Sequence, residues 1–179
     1  MKCRSFYFLL LTFALLPCSI EADQESDLST PTYIGIVYYL DPSAKLLALD
    51  RQIPRSKASF KALGFGGAKA IVELDAERAS LRLPSNQELG FVVELPNGVD
   101  PREFQLYQFE ARNGKRELVI TSGSAFKGQH LRAAIQLNIS RYRENTYKLT
   151  PSSKLAVGEY AFIVGGSSEV FCFGVDKKD

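Results

Sequence analysis

The residues that could carry chemistry are few, and their spacing limits what each could do. Histidine occurs once, as His130 in Lys127-Gly128-Gln129-His130-Leu131. A Ser-His-Asp relay, a histidine metal site or a histidine general base would have to use it. The segment reads as a loop and no nucleophile elbow accompanies it, so His130 is expected to be solvated. Ser124-Ala125-Phe126-Lys127 matches the Ser-x-x-Lys acylating pair. That chemistry needs the serine at a helix start and further Ser-Asp-Asn and Lys-Thr-Gly elements. Neither is present, and the match reads as chance. Gly64-Phe65-Gly66-Gly67-Ala68-Lys69 hints at a phosphate cradle, but a P-loop needs glycine directly before the lysine and a helix after it. Here alanine intervenes and a strand follows, so the glycines read as a bend or bulge.

Three further groupings concern binding. Glu73, Asp75 and Glu77 recur at every second position. On an extended chain they would share one face and offer oxygens to Ca²⁺; the competing reading is a solvated turn flanked by Arg78. Asn138-Ile139-Ser140 is an N-glycosylation acceptor, meaningful only in a eukaryotic secretory pathway. Arg132, Arg141, Arg143 and Lys148, interleaved with Tyr142 and Tyr147, would form a basic aromatic patch for an acidic glycan or a partner protein. The plainer alternative is charged strand edges that discourage edge-to-edge pairing. Absence of tryptophan weakens the glycan reading. No catalytic, cofactor-binding or metal-binding residue is assigned on this basis, no cofactor is expected, and the binding residues stay unknown.

The N-terminus carries an address. Lys2 and Arg4 precede the apolar run Phe6–Leu16, Pro17 breaks it, and Ile20-Glu21-Ala22 offers a small residue at a cleavage point. Residues 1–22 read as a secretory signal peptide, too short to stay as a membrane span, and no later segment is apolar enough to span. The expected destination is secreted or periplasmic. Leu15-Leu16-Pro17-Cys18 leaves open lipid anchoring through Cys18, although proline stands where a small residue is usual. Without residues 1–22 the chain loses Lys2, Arg4 and Glu21, and its net charge goes from +2 to +1. Near-neutral charge gives no electrostatic reason to expect nucleic acid as a partner. Cys3 and Cys18 lie in the signal, so Cys172 is the only cysteine of the mature chain and no internal disulfide is available. In Phe171-Cys172-Phe173, within an apolar run, it reads as core.

The elements that must position all of this read as β. Residues 23–32 are polar and turn-rich and are expected to form a disordered leader. A single domain then covers 33–176, with 177–179 as a tail. Tyr33–Leu40 reads as a buried strand, Asp41–Ala44 as a turn and Lys45–Leu49 as its hairpin partner. Residues 51–62 read as a loop around Pro54. Ala70–Leu74 and Ser80–Leu83 read as strands about the turn 75–79. Phe91, Val93 and Leu95 line one face of the next strand. Asn113-Gly114, between Glu103–Arg112 and Lys115–Thr121, is the strongest hairpin signal. Residues 131–142 fit both a strand alternation and a helical stripe, and the strand is chosen because every neighbour is β. Roughly ten short strands predict an all-β fold, a single antiparallel β-sandwich, with a partly closed barrel as the alternative.

Leu155, Gly158 and Tyr160, in Leu-x-x-Gly-Glu-Tyr, have the order of a core anchor, a turn and a tyrosine that bonds back to upstream backbone. This resembles the tyrosine corner of immunoglobulin-like Greek-key domains. Together with Tyr33–Leu40, Tyr147-Lys-Leu-Thr-Pro151 and Phe173-Gly-Val-Asp176, the corner is also similar to a group of uncharacterised exported bacterial proteins, firmly over 145–176 and loosely before. That resemblance implies bacterial export and an all-β domain, and it carries over no site. The functional expectation is an exported, non-catalytic binding or structural module of the bacterial envelope, with another envelope protein or a glycan as partner. The alternatives are an enzyme of unrecognised type built from carboxylates and an accessory subunit of an envelope complex.

Overall fold

A computed structural model describes residues 29–59, 68–122 and 134–177. The expected signal peptide 1–22 with Cys18, leader residues 23–28 and tail residues 178–179 lie outside these, as do Gly64, Gly66, Gly67, Ser124, Lys127, His130 and Arg132.

The chain is all-β, with one 3-10 turn at Pro101–Glu103 among the described residues. The strands are β1 (Val37–Leu40), β2 (Leu46–Ala48), β3 (Asp50–Gln52), β4 (Arg55–Ser59), β5 (Ala68–Asp75), β6 (Arg82–Pro84) and β7 (Gly90–Glu94). They continue with β8 (Phe104–Arg112), β9 (Lys115–Ser122), β10 (Leu137–Arg143), β11 (Thr146–Pro151), β12 (Gly158–Val164) and β13 (Val170–Asp176). One sheet has the order β10-β11-β7-β1-β2. The other runs β3-β13-β12-β8-β9-β5-β4, with β6 lying parallel on β13. Taken as A-B-E-D, the set β1-β7-β11-β10 and the facing C-F-G set β8-β12-β13 have the strand order of an immunoglobulin-like sandwich. Strands β2 to β6 are what this chain adds between the first and second of those positions.

The core lies between the two sheets because inward and outward residues alternate along each strand. Val37 and Tyr39, Phe91 and Val93, and Leu149 face Phe104 and Leu106, Tyr160 and Phe162, and Phe171, Phe173 and Val175. Phe91 sits at the centre, 5.0 Å from the ring of Phe162 and 4.8 Å from that of Phe173. Burial of each such ring stabilises by roughly 1.5–3 kcal/mol, before the contribution of ring–ring geometry.

The larger sheet also buries its other face. Leu74, Phe109, Leu118, Ala161, Val170 and Cys172 form a second cluster, reached by the intervening residues of the same strands. The sheet curls strongly enough that Arg116 of β9 donates to the side chain of Gln52 on β3 at 3.0 Å, although β13, β12 and β8 lie between them in the sheet. The sandwich therefore carries a half-barrel on one side, a local form of the alternative architecture.

The corner forms as the sequence suggests: the Tyr160 hydroxyl donates to the Ala156 carbonyl at 2.8 Å, and Leu155 packs into the core. Gly158 has a different reason from the one expected. It is the first residue of β12 and needs no left-handed backbone; an added Cβ would sit 2.7 Å from the Gln108 amide nitrogen. The hairpin at Asn113-Gly114 has positive φ at both residues, 52° and 78°, as a two-residue primed turn requires. Residues 137–143 are strand, and Ile135 makes an isolated bridge to Leu106.

Three local expectations change. Of the expected loop 51–62, residues 60–62 lie outside the described residues, and 51–59 hold the end of β3 and all of β4, whose polar sequences are recruited by pairing to β13 and β5. The turn at 75–79 does not close a hairpin, because β5 pairs with β4 and β9 while β6 joins β13. The first strand is confined to Val37–Leu40: Gly35 takes φ +78°, and Tyr33 and Ile34 are exposed. Before it, Ser29–Thr32 belongs to the folded unit, with Pro31 buried, Ser29 donating to the Ala44 carbonyl and Thr30 accepting from Arg143 at 3.2 Å.

Candidate functional site

Most buried polar groups are already consumed by the fold. Glu159 follows the corner glycine and is buried; it accepts the Ala79 N–H at 2.8 Å and the Arg82 guanidinium. Arg82 also grips Asp176 through two nitrogens, at 2.8 and 2.6 Å, and Arg78 meets the same carboxylate at 3.0 Å. These contacts, that with Asp176 first, hold the Arg82 pKa above the ordinary arginine value, and Arg82 holds the Asp176 carboxyl below the usual range. Gly174 makes the node possible, because the Arg82 guanidinium occupies the space a Cβ would need. Thus Gly-Glu-Tyr and Phe-Gly-Val-Asp are two halves of one ionic clamp between β12, β13 and β6.

Arg116 closes the half-barrel. It is fully buried and donates to the carbonyls of Asp75 and Ala76 at 3.0 and 3.1 Å. Its Nη1 lies 3.9 Å from Glu159 and makes no hydrogen bond among the described residues. Cys172 is packed beside this pair; burial pushes its thiol up to about 11, against the opposing pull of Arg116. A thiol so placed is inert.

The uncommitted polar groups gather elsewhere, on the outer face of the five-stranded sheet. There the lack of a side chain at Gly90 opens a hollow of about 330 Å³ lined by Leu40, Asp41, Pro42, Ala44, Glu88, Gly90, Tyr142 and Lys148. Each wall has a local cause. The turn 41–44 is set by Ala44 N–H donating to the Asp41 carbonyl and by Ser43 Oγ bonding the Asp41 carboxylate at 2.9 Å. Lys148 pairs opposite Val92 on β7 and leans over Gly90, its Cε 2.9 Å from where a Cβ would stand. Tyr142 falls at the bulge between Arg141 and Arg143, where β10 slips register against β11. Its hydroxyl is buried and has no hydrogen-bond partner among the described residues. Burial, opposed by Arg143, pushes its pKa above the ordinary tyrosine value, so it stays a donor. A second hollow of about 270 Å³ shares Glu88 and is lined by Asn138, Ser152, Ser153 and Lys154 among others.

The sequence-level candidates distribute as follows. Of the basic aromatic patch, Tyr142 and Lys148 come together in the hollow, Tyr147 packs against the core, Arg141 is exposed and Arg143 binds Thr30. Glu73, Asp75 and Glu77 do not converge: Lys115 meets Glu73 at 3.2 Å, Arg55 meets Asp75 at 3.1 Å, and Glu77 accepts the Gly114 N–H at 2.7 Å. Among the described residues no cluster of His, Cys, Asp and Glu has metal-site geometry. Asn138 lines the second hollow and Ser140 is exposed beside it. Sequence reasoning missed Asp41, Glu88 and Gly90; Gly90, a glycine opening an otherwise apolar strand, was the one available signal.

Among the described residues no helix is long and apolar enough to cross a membrane. No protein-family model, curated protein or solved structure matches the chain.

Proposed function

We propose that this chain is an exported, non-catalytic binding module of the bacterial envelope, and that it recognises its partner through the outer face of the five-stranded sheet. The observation that carries this is the division of polar groups. Those in the ionic clamp and most of those in the half-barrel serve the fold, whereas the buried Tyr142 hydroxyl, without a hydrogen-bond partner among the described residues, belongs to a residue that lines a hollow together with Glu88 and Lys148. A buried polar group without a partner is unusual enough in folded proteins to ask what completes it. The signal-like residues 1–22 and the likeness of 145–176 to exported bacterial proteins support the envelope as the setting.

Site-specific photocrosslinking in envelope fractions tests the reading. A photoreactive residue in place of Glu88, which is exposed at the junction of the two hollows, is expected to give a discrete adduct. The same residue in place of exposed Arg112, at the end of β8, is expected to give none. Recovery of the chain from the cytosol alone, or equal labelling from both positions, refutes the proposal.

A further inference from the structure

The hollow over Gly90 carries charges of both signs that do not neutralise each other. Asp41 and Glu88 stand on its rim with Lys148, and among the described residues Lys148 and Glu88 form no ion pair. Asp41 already spends one carboxylate oxygen on Ser43 Oγ at 2.9 Å and the other on the Ser43 N–H at 3.5 Å, which leaves Glu88 as the acid without a partner among the described residues. A simple anion placed here meets Lys148 but also two carboxylates. A simple cation satisfies the acids and leaves Lys148 unanswered. An uncharged sugar offsets neither sign. A molecule with an ammonium at one end and a carboxylate at the other answers both, and charge-assisted hydrogen bonds are the stronger kind.

We propose that this hollow binds a small zwitterion of amino-acid type, the size of a dipeptide, with its carboxylate on Lys148 and its ammonium on Glu88. This rests on, and gives a ligand class to, the binding surface proposed above. The volume of about 330 Å³ is at the small end of ligand pockets (~300–1,000 Å³), which suits a dipeptide. Leu40, Pro42 and Ala44 supply apolar wall for a short aliphatic side chain. Beyond Glu88 the adjoining hollow offers the Asn138 amide and the Ser152 and Ser153 hydroxyls, groups able to hydrogen-bond a peptide link.

The test is a titration of the full-length ¹⁵N-labelled chain, in the form the expressing cell delivers, with alanyl-alanine. Two blocked forms are run beside it: N-acetyl-alanyl-alanine, which lacks the ammonium, and alanyl-alaninamide, which lacks the carboxylate. Saturable shifts are expected at the amides of Leu40, Gly90, Tyr142 and Lys148. Each blocked dipeptide is expected to bind about tenfold or more weakly, as loss of one charge-assisted hydrogen bond implies. Glu88→Gln should erase the penalty of acetylation alone, and Lys148→Met the penalty of amidation alone. The blocked dipeptides probe the natural chain, so the outcome does not depend on how any variant folds. No saturable shift, or equal binding of all three dipeptides, overturns the assignment. If crosslinking from Glu88 persists in that case, the binding surface stands and only its ligand class is wrong; if both fail, the surface goes too.

Discussion

Replacing Glu159 by glutamine separates what the ionic clamp contributes from what the corner contributes. The Glu159 side chain is 7% exposed and its neighbour Arg116 is 0% exposed. Glutamine keeps an oxygen for the Ala79 N–H, which now bonds Glu159 at 2.8 Å, so the backbone contact survives. What disappears is the negative charge facing Arg116 and Arg82. Removing one partner of a buried ion pair costs about 3–5 kcal/mol, because the remaining charge stays desolvated. Two features place this case at the low end: Arg116 Nη1 is 3.9 Å away, and Arg82 keeps Asp176. A loss of about 3 kcal/mol follows, from a total that is ~5–15 kcal/mol for a typical domain. With a urea slope of roughly 2 kcal/mol per molar, the midpoint should fall by about 1.5 M, read by far-ultraviolet circular dichroism. Glu159→Gln combined with Arg116→Met should lose less than the sum of the two single changes, by about 1 kcal/mol or more, because the pair acts as a unit. A midpoint shift below about 0.3 M, or additivity within about 0.5 kcal/mol, refutes the reasoning.

Other consequences are as direct. Gly174→Ala should displace the Arg82 guanidinium from β13 and destabilise by about 1–3 kcal/mol, the usual cost of forcing a methyl into filled space; Arg82→Met in the same chain should relieve part of that loss in urea melts, and an unchanged midpoint for Gly174→Ala alone would contradict the packing. Asp176 is held below its ordinary value of 3.8, chiefly by Arg82, so the unfolded chain binds the proton first and the contribution is complete above that value and fades as pH falls through the lower folded value. The melting temperatures of the natural chain and Asp176→Asn should therefore differ at neutral pH, and the gap should narrow as pH falls below about 4; a gap that is the same at about pH 3 as at pH 7 argues against the ion pairing. Raising the Cys172 thiol from 9.0 to about 11 cuts its thiolate at pH 8 about 100-fold before burial is counted. Labelling by a disulfide reagent should be slow in buffer and fast in urea, and rapid labelling of the native chain would show that the half-barrel opens.

The β class, the Asn113-Gly114 hairpin, the corner and the burial of Cys172 were legible in the sequence because each depends on neighbours along the chain. Alternation decides which face of a strand is apolar, Asn-Gly tolerates the positive φ of a tight turn, and Tyr160 reaches a carbonyl only four residues back. The sandwich as a whole followed from many short strands with turns between them. The pairing of β3 and β4 was not legible, since their polar residues carry no apolar pattern and become strands only by joining β13 and β5.

Tertiary structure alone decided the two polar sites. Glu159, Arg82 and Asp176 are separated by 77 and 94 positions, and no local pattern pairs them; the parallel contact of β6 with β13 does. The hollow likewise takes Leu40 and Asp41 from the first hairpin, Glu88 and Gly90 from the next strand's entry, and Tyr142 and Lys148 from a bulged pair. Sequence supplied their chemical types, and it placed Tyr142 and Lys148 in one basic, aromatic stretch. Which of those side chains turned outward was settled by strand register, where a slip of one residue exchanges the core face for the solvent face.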